Sequence, residues 1–145
     1  SAVIGKFVDT FSRVRPIRRH RNLERQWYAK FRHPAKPTEW TEEIVTVKVN
    51  NFSITLIDES DAWIATGWVV YDKSIIGKWN TKLKNRDTTG GFLLQVAHGS
   101  EILYGVFASK NAAGTIVLCP WVLAIRRELL NEGEKLLGWM RQFPD

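Results

Sequence analysis

Side chains able to act as nucleophiles, proton carriers or metal ligands are sparse in this sequence, and their spacing matches no catalytic constellation. His20, His33 and His98 lack metal-ligand spacing, and no HExxH motif is present. The single cysteine, Cys119, precedes Pro120 inside an apolar run. It reads as a buried strand residue, with a reactive thiol as the alternative. One cysteine also excludes a disulfide scaffold and a Cys-based zinc site, and it fits a reducing compartment. Asp58, Glu59 and Asp61 cluster without the order of a calcium loop and read as a solvated turn. Gly77-Lys78-Trp79 is not part of a Walker A motif, and Thr88-Thr89-Gly90-Gly91 has the chemistry of a turn. The expectation is a protein that is no enzyme, holds no metal or cofactor, and works by binding.

Aromatic residues carry the binding signal. The chain has seven tryptophans in 145 residues. Trp63, Trp68, Trp79 and Trp121 fall in predicted strands, with Trp27 and Tyr28 on the first. Core packing accounts for most of them. Strand alternation also leaves Thr66, Lys78, Asn80, Gln95 and Tyr104 at positions open to sharing a face with rings. A polar group buried in a barrel is costly unless a partner or ligand satisfies it. Lys78 beside Trp79, and Arg126-Arg127 at the end of the last strand, set cations near aromatic faces. That mixture suits a ligand with both bases and phosphates.

The elements that must position these residues are mostly short strands. Gln26–Arg32 is the first, followed by a loop containing Pro34 and Pro37. Val45, Val47 and Val49 alternate with polar residues, Asn50-Asn51 supplies a tight turn, and Phe52, Ile54 and Leu56 alternate again. WIATGWVVY and SIIGKWNTK form a second pair joined at Asp72-Lys73. GFLLQVAH and EILYGVFAS follow, linked by Gly99-Ser100, and NAAG turns into TIVLCPWVLAIRR. Pro120 cannot donate to a ladder, so that strand is expected to bulge or lie at an edge there. About eight strands with short joins make an antiparallel up-and-down meander, and closure into a barrel removes its edges. Mid-strand glycines at 67, 77, 90, 91 and 105 suit strong curvature. The predicted fold is an all-β, lipocalin-like barrel over residues 26–127. In residues 128–145, Leu129, Leu130, Leu136, Leu137 and Met140 predict a helix closing one end, with a hairpin through Asn131–Glu134 as the alternative.

The formal charge of +6 is unevenly placed. Residues 1–36 hold ten Lys and Arg against two acids, whereas the remaining 109 residues hold 11 bases and 13 acids. Val3, Ile4, Phe7, Val8, Phe11 and Val14 form a helically spaced apolar stripe leading into RVRPIRRHR. Residues 1–25 therefore read as a basic amphipathic segment, either packed on its own domain, lying beside a membrane, or contacting nucleic acid. No apolar run reaches the length of a membrane-spanning helix, and SAVIGKFVDTF does not read as a secretory signal.

The basic segment running into NLERQWYAKF, then a meander with IIGKWNTK and ILYGVFAS, resembles the two-transmembrane β-barrel effectors of bacterial CBASS-like anti-phage defence. The likeness spans about residues 18–127. Leu23-Glu24-Arg25-Gln26-Trp27 is similar to that family's Leu-x-Gly-x-Trp-like first strand, but without the glycine. The resemblance implies a cytoplasmic barrel that binds a cyclic di- or oligonucleotide second messenger. It also implies homo-oligomerisation on binding, and two helices preceding Ser1 that disrupt the bacterial inner membrane; DNA is not an expected partner. It further implies that Tyr28, Trp68, Trp79 and Tyr104 stack on bases, while Lys30, Arg32, Lys78 or Arg126 meet phosphates, with Asn80 nearby. Two rival expectations are a carrier of a small apolar ligand and an oligonucleotide-binding barrel. The net −2 charge of residues 37–145 weighs mildly against the latter.

Overall fold

Eight antiparallel strands close into one barrel in the order of the chain. The computed structural model describes residues 16–51, 53–71, 73–82 and 89–138. The expected amphipathic stretch 1–15, Phe52, Asp72, Thr88 and Met140 lie outside the described residues. The strands are β1 (Arg25–Arg32), β2 (Trp40–Val49), β3 (Ile54–Asp58), β4 (Trp63–Val70), β5 (Ser74–Thr81), β6 (Thr89–Ala97), β7 (Ile102–Lys110) and β8 (Ile116–Ala124). Period-two alternation sets the two faces. In β2 and β3, Val45, Val47, Ile54 and Leu56 are buried while Lys48 is exposed. The intervening turn is closed by the Asn50 amide donating to the Ser53 carbonyl at 2.8 Å. At NAAG, the Asn111 side-chain oxygen accepts from the amides of Ala113 and Thr115 at 3.0 Å, a side-chain substitute for a backbone turn.

The interior changes character along its length. Leu23, Val47, Ile54, Leu56, Ile75, Leu94, Leu103 and Leu123 fill one part with aliphatic side chains that are fully or almost fully buried. Each contributes roughly 1.5–3 kcal/mol of transfer free energy. Toward the other end the same inward rows turn aromatic: Leu94 gives way to Phe92, Leu123 to Trp121, Ile75 to Trp79 and Ala65 to Trp63. A tight corner between β4 and β5 depends on Gly77. A Cβ there would stand 2.0 Å from the Thr66 carbonyl oxygen and 2.8 Å from the Phe92 ring.

Flanking segments differ from the expectation. Pro16–Leu23 is a 3₁₀ stretch packed against β2, and it delivers Leu23 to the aliphatic core. Trp27 fixes it by donating its indole N–H to the Leu23 carbonyl at 2.9 Å. The C-terminal helix α1 (Leu130–Leu136), entered through a 3₁₀ turn at Arg127–Leu129, does not close a barrel end. It lies on the outer wall, where Leu130 and Leu137 pack with Ile102, Val122 and Ala124. The reason is that the outward side chains of β7 and β8 are themselves apolar there, so this wall needs a cover. Gly133 allows the approach: a Cβ on it would fall 2.3 Å from a Val122 methyl. Pro120 pairs with Val106 of β7, while β1 pairs with β8 only over Trp121–Ala124. Pro120 thus stands where β8 has lost its second neighbour, at the expected edge.

Candidate functional site

A cavity of about 540 Å³ occupies the aromatic end of the barrel, within the usual size of small-molecule sites. Phe31 of β1, Trp63 of β4, Trp79 of β5, Phe107 of β7 and Trp121 of β8 form its walls. These rings hold one another edge to face. Trp63 meets Trp121 at 5.4 Å, Trp79 meets Phe107 at 5.8 Å, and Phe31 meets Phe107 at 5.7 Å between centroids. Such pairs add roughly 0.5–1.5 kcal/mol beyond area burial, and they fix the wall in place. Trp79 is further anchored by donating to the Ala108 carbonyl at 2.9 Å.

One carboxylate stands among these rings. Glu43 lines the cavity from β2 and accepts the Trp63 indole N–H on Oε2 at 3.1 Å. Its Oε1 is buried with no hydrogen-bond partner. Burial pushes the Glu43 carboxyl up to about 7; the Trp63 bond opposes this and the Asp58 charge adds to it. Across the same cavity Trp121 presents a buried indole N–H that also has no partner. Among the described residues, then, two residues of the lumen wall each keep one buried polar atom without a partner, an acceptor on Glu43 and a donor on Trp121. His33 and Lys110, both exposed, bring potential positive charge to the rim.

Asp58 departs from the solvated turn expected for it. It is buried, accepting from the Ser60 hydroxyl and from the Trp63 amide at 3.0 Å. These bonds set the turn that launches Trp63 into the cavity wall. Glu59 and Asp61 are exposed, as a solvated turn requires. Cys119 is buried, and burial pushes its thiol up to about 11, away from reactive thiolate.

Of the nine ligand-contacting residues expected from sequence, the structure brings only Trp79 to the cavity. The other eight lie outside it. Tyr28, Trp68, Lys78 and Asn80 have the outward parity of their strands and are exposed. Tyr104 is outward too, half-buried in the apolar cluster under α1. Lys30 is outward but covered, its ammonium bonded to Glu134 of α1 at 2.7 Å and 4.7 Å from the Trp40 ring centre. Arg32 lies over the same ring at 4.8 Å, and Arg126 is exposed with Glu101 at 3.9 Å. The nine do not form one site, because Trp79 alone has inward parity. Phe31, Glu43, Phe107 and Trp121 line the cavity with Trp79. The signal for Glu43 was present: it shares the parity of Val45, Val47 and Val49, two residues before that alternation becomes apolar.

No family model matches this sequence, and no curated protein matches it. Among solved structures the chain is similar to a redesigned β-barrel, at a TM-score of 0.52 and 6% identity. The match covers 72% of this chain and 92% of the other. At that identity the likeness concerns the barrel fold alone. No described helix is long and apolar enough to cross a membrane.

Proposed function

We propose that this chain is a receptor domain whose lumen takes one base of a cyclic oligonucleotide, with the phosphates held outside at the rim. The observation that carries this reading is a cavity walled by Trp63, Trp79, Trp121, Phe31 and Phe107, with Glu43 the one acidic side chain among its described lining residues. Ring walls favour a planar guest, each stacking contact contributing roughly 1–3 kcal/mol. Glu43 repels a phosphate from the interior, so the anionic part of such a ligand belongs at His33 and Lys110. In this reading the barrel performs no chemistry. Ligand that binds an assembled form more tightly shifts the population toward it. Membrane helices outside this sequence then carry the output to the bacterial inner membrane, as the sequence resemblance implies.

Titration calorimetry with a panel of cyclic di- and trinucleotides tests the reading. Heat of binding is expected with at least one member. It should be lost in Trp79→Ala and kept in Trp68→Ala and Lys78→Ala, whose side chains lie outside. No heat with any member overturns the proposal, as does loss in the outer-face variants alone. Lipid retained in native mass spectrometry, displaced by no nucleotide, would assign the lumen to an apolar ligand instead.

A further inference from the structure

We propose that the outer wall of β4–β6 docks on an anionic lipid surface. Register brings an apolar row to that wall. Trp68 of β4 pairs with Ile76 of β5, and Ile76 with Leu93 of β6, all of outward parity. The apolar outward residues Ile102, Val122 and Ala124 of β7 and β8 are covered by α1, but Trp68 remains 50% exposed and Ile76 46%. Tyr71, in the turn joining β4 to β5, is 93% exposed. Single exposed apolar residues need no explanation, whereas a registered row of them marks a surface that meets a partner.

The residues around the row identify the occupant. Lys73, in the same turn as Tyr71, and Lys78, two positions beyond Ile76 on β5, are both exposed. The strands β4, β5 and β6 contain no acidic residue. Indole and phenol rings settle at the boundary between acyl chains and headgroups, where one end is apolar and the other wet. Lysine lays its methylenes along apolar surface and lifts its ammonium to the phosphates. A tryptophan and a tyrosine beside aliphatic side chains, flanked by two lysines, have that chemistry. A second copy on the same face would set lysine against lysine, a like-charge contact that disfavours it. Nucleic acid would meet the cations and leave the apolar row uncovered.

Trp68, Ile76 and Leu93 face away from the lumen and none lines the cavity, so the docking holds whatever the lumen takes. A closed barrel offers only a few neighbouring strands to a flat surface, so the contact is small, reversible and weakened by salt. The ten Lys and Arg of residues 1–36 also attract an anionic surface. A decisive test therefore locates the contact on the barrel as well as measuring its strength.

The experiment is co-sedimentation of the whole chain with phosphatidylcholine vesicles, with and without about one part in four of phosphatidylglycerol. Wild type is expected to sediment with the anionic vesicles, and less as salt rises. Trp68→Ser with Ile76→Ser, and Lys73→Glu with Lys78→Glu, should each weaken binding about tenfold. Leu118→Ser, exposed on β8 outside the row, should leave it within about twofold. Location is read from a bimane fluorophore on Ile76→Cys or on Gln26→Cys, native Cys119 being buried. Gln26 is exposed on β1, across the barrel from β5 and within the basic segment. Doxyl-labelled lipid should quench the first and spare the second. Quenching at position 26 as strong as at position 76 assigns the contact to the basic segment and overturns the proposal. So do binding unchanged in both double variants, an equal loss in Leu118→Ser, or no sedimentation with either vesicle. Concentration-dependent dimers abolished by Trp68→Ser would give the face to a second copy and overturn it too.

Discussion

Glu43 shows how one buried charge ties stability to function. Its carboxyl is pushed from an ordinary 4.5 to about 7, chiefly because burial penalises the anion, with the Trp63 hydrogen bond offsetting part of that. Between those values the folded chain holds a proton that the unfolded chain has released. Stability therefore falls as pH rises through this window and levels off above it. The full shift corresponds to at most roughly 3 kcal/mol. Glu43→Gln, which keeps an acceptor for Trp63 and carries no charge, should unfold later than wild type at pH 8, by about 1–3 kcal/mol. At pH 4.5 the two should nearly coincide. Thermal melts of both proteins at these pH values check this; equal offsets at both would refute the assignment. Cys119 gives the opposite kind of residue-scale expectation. Buried, with its thiol pushed up to about 11, it should resist alkylation at pH 8 in the native protein and react at once in denaturant. Mass spectrometry of iodoacetamide-treated samples distinguishes the two outcomes.

Among the elements, the strands were legible and the helix position was not. Val45, Val47 and Val49, and then Ile54 and Leu56, announce their buried face locally, because one residue in two must point inward. The placement of α1 depends instead on which outer wall is apolar. Ile102, Val122 and Ala124 are outward residues in strands whose inward residues are also apolar, so alternation is invisible there. Lys30 was read as a ligand contact for the same reason: nothing near it in sequence reveals Glu134, 104 positions away. Lys30 holds the Glu134 carboxyl below the usual carboxylate range, chiefly through its hydrogen bond. That bond therefore supports folding above about pH 4.5 and is lost as pH falls through the lowered value. Glu134→Gln leaves a covered ammonium without its counter-charge and should cost about 1–2 kcal/mol at pH 7, with tighter protease susceptibility at α1 than elsewhere. Gly77→Ala should cost more, about 2–4 kcal/mol, because the new methyl meets the Thr66 carbonyl and Phe92. Gly138→Ala, with open space around it, should be near neutral. Denaturant midpoints rank the three, and a benign Gly77→Ala would contradict the corner described.

At the scale of the molecule, the barrel divides into an aliphatic plug and an aromatic lumen, and that division was hidden because neither half is contiguous in sequence. Trp63, Trp79, Phe107 and Trp121 come from four strands, and their convergence follows only from register. Register also decides where the wall is weakest. Nine residue pairs join β7 to β8 and eight join β4 to β5, but only four join β1 to β8 and four join β3 to β4. The β1–β8 seam is covered by α1, which touches both strands. No described helix packs over the β3–β4 seam, and β3 is only five residues long. Local opening is governed by the least-supported ladder, so it should begin between β3 and β4. That seam ends at the turn where Asp58 holds the Trp63 amide, which places the weakest part of the wall beside the lumen. Hydrogen exchange followed by NMR should find the amides pairing β3 with β4 exchanging well before those pairing β4 with β5. Binding of a guest in the lumen should slow the β3–β4 set most, because a ring packed against Trp63 steadies the end of the loose seam. Glu134→Gln should accelerate the β1–β8 seam and leave β3 unchanged. If β3 instead exchanges with the slowest amides of the barrel, ladder length does not set the opening order, and entry to the lumen must be sought at the rim beside His33 and Lys110.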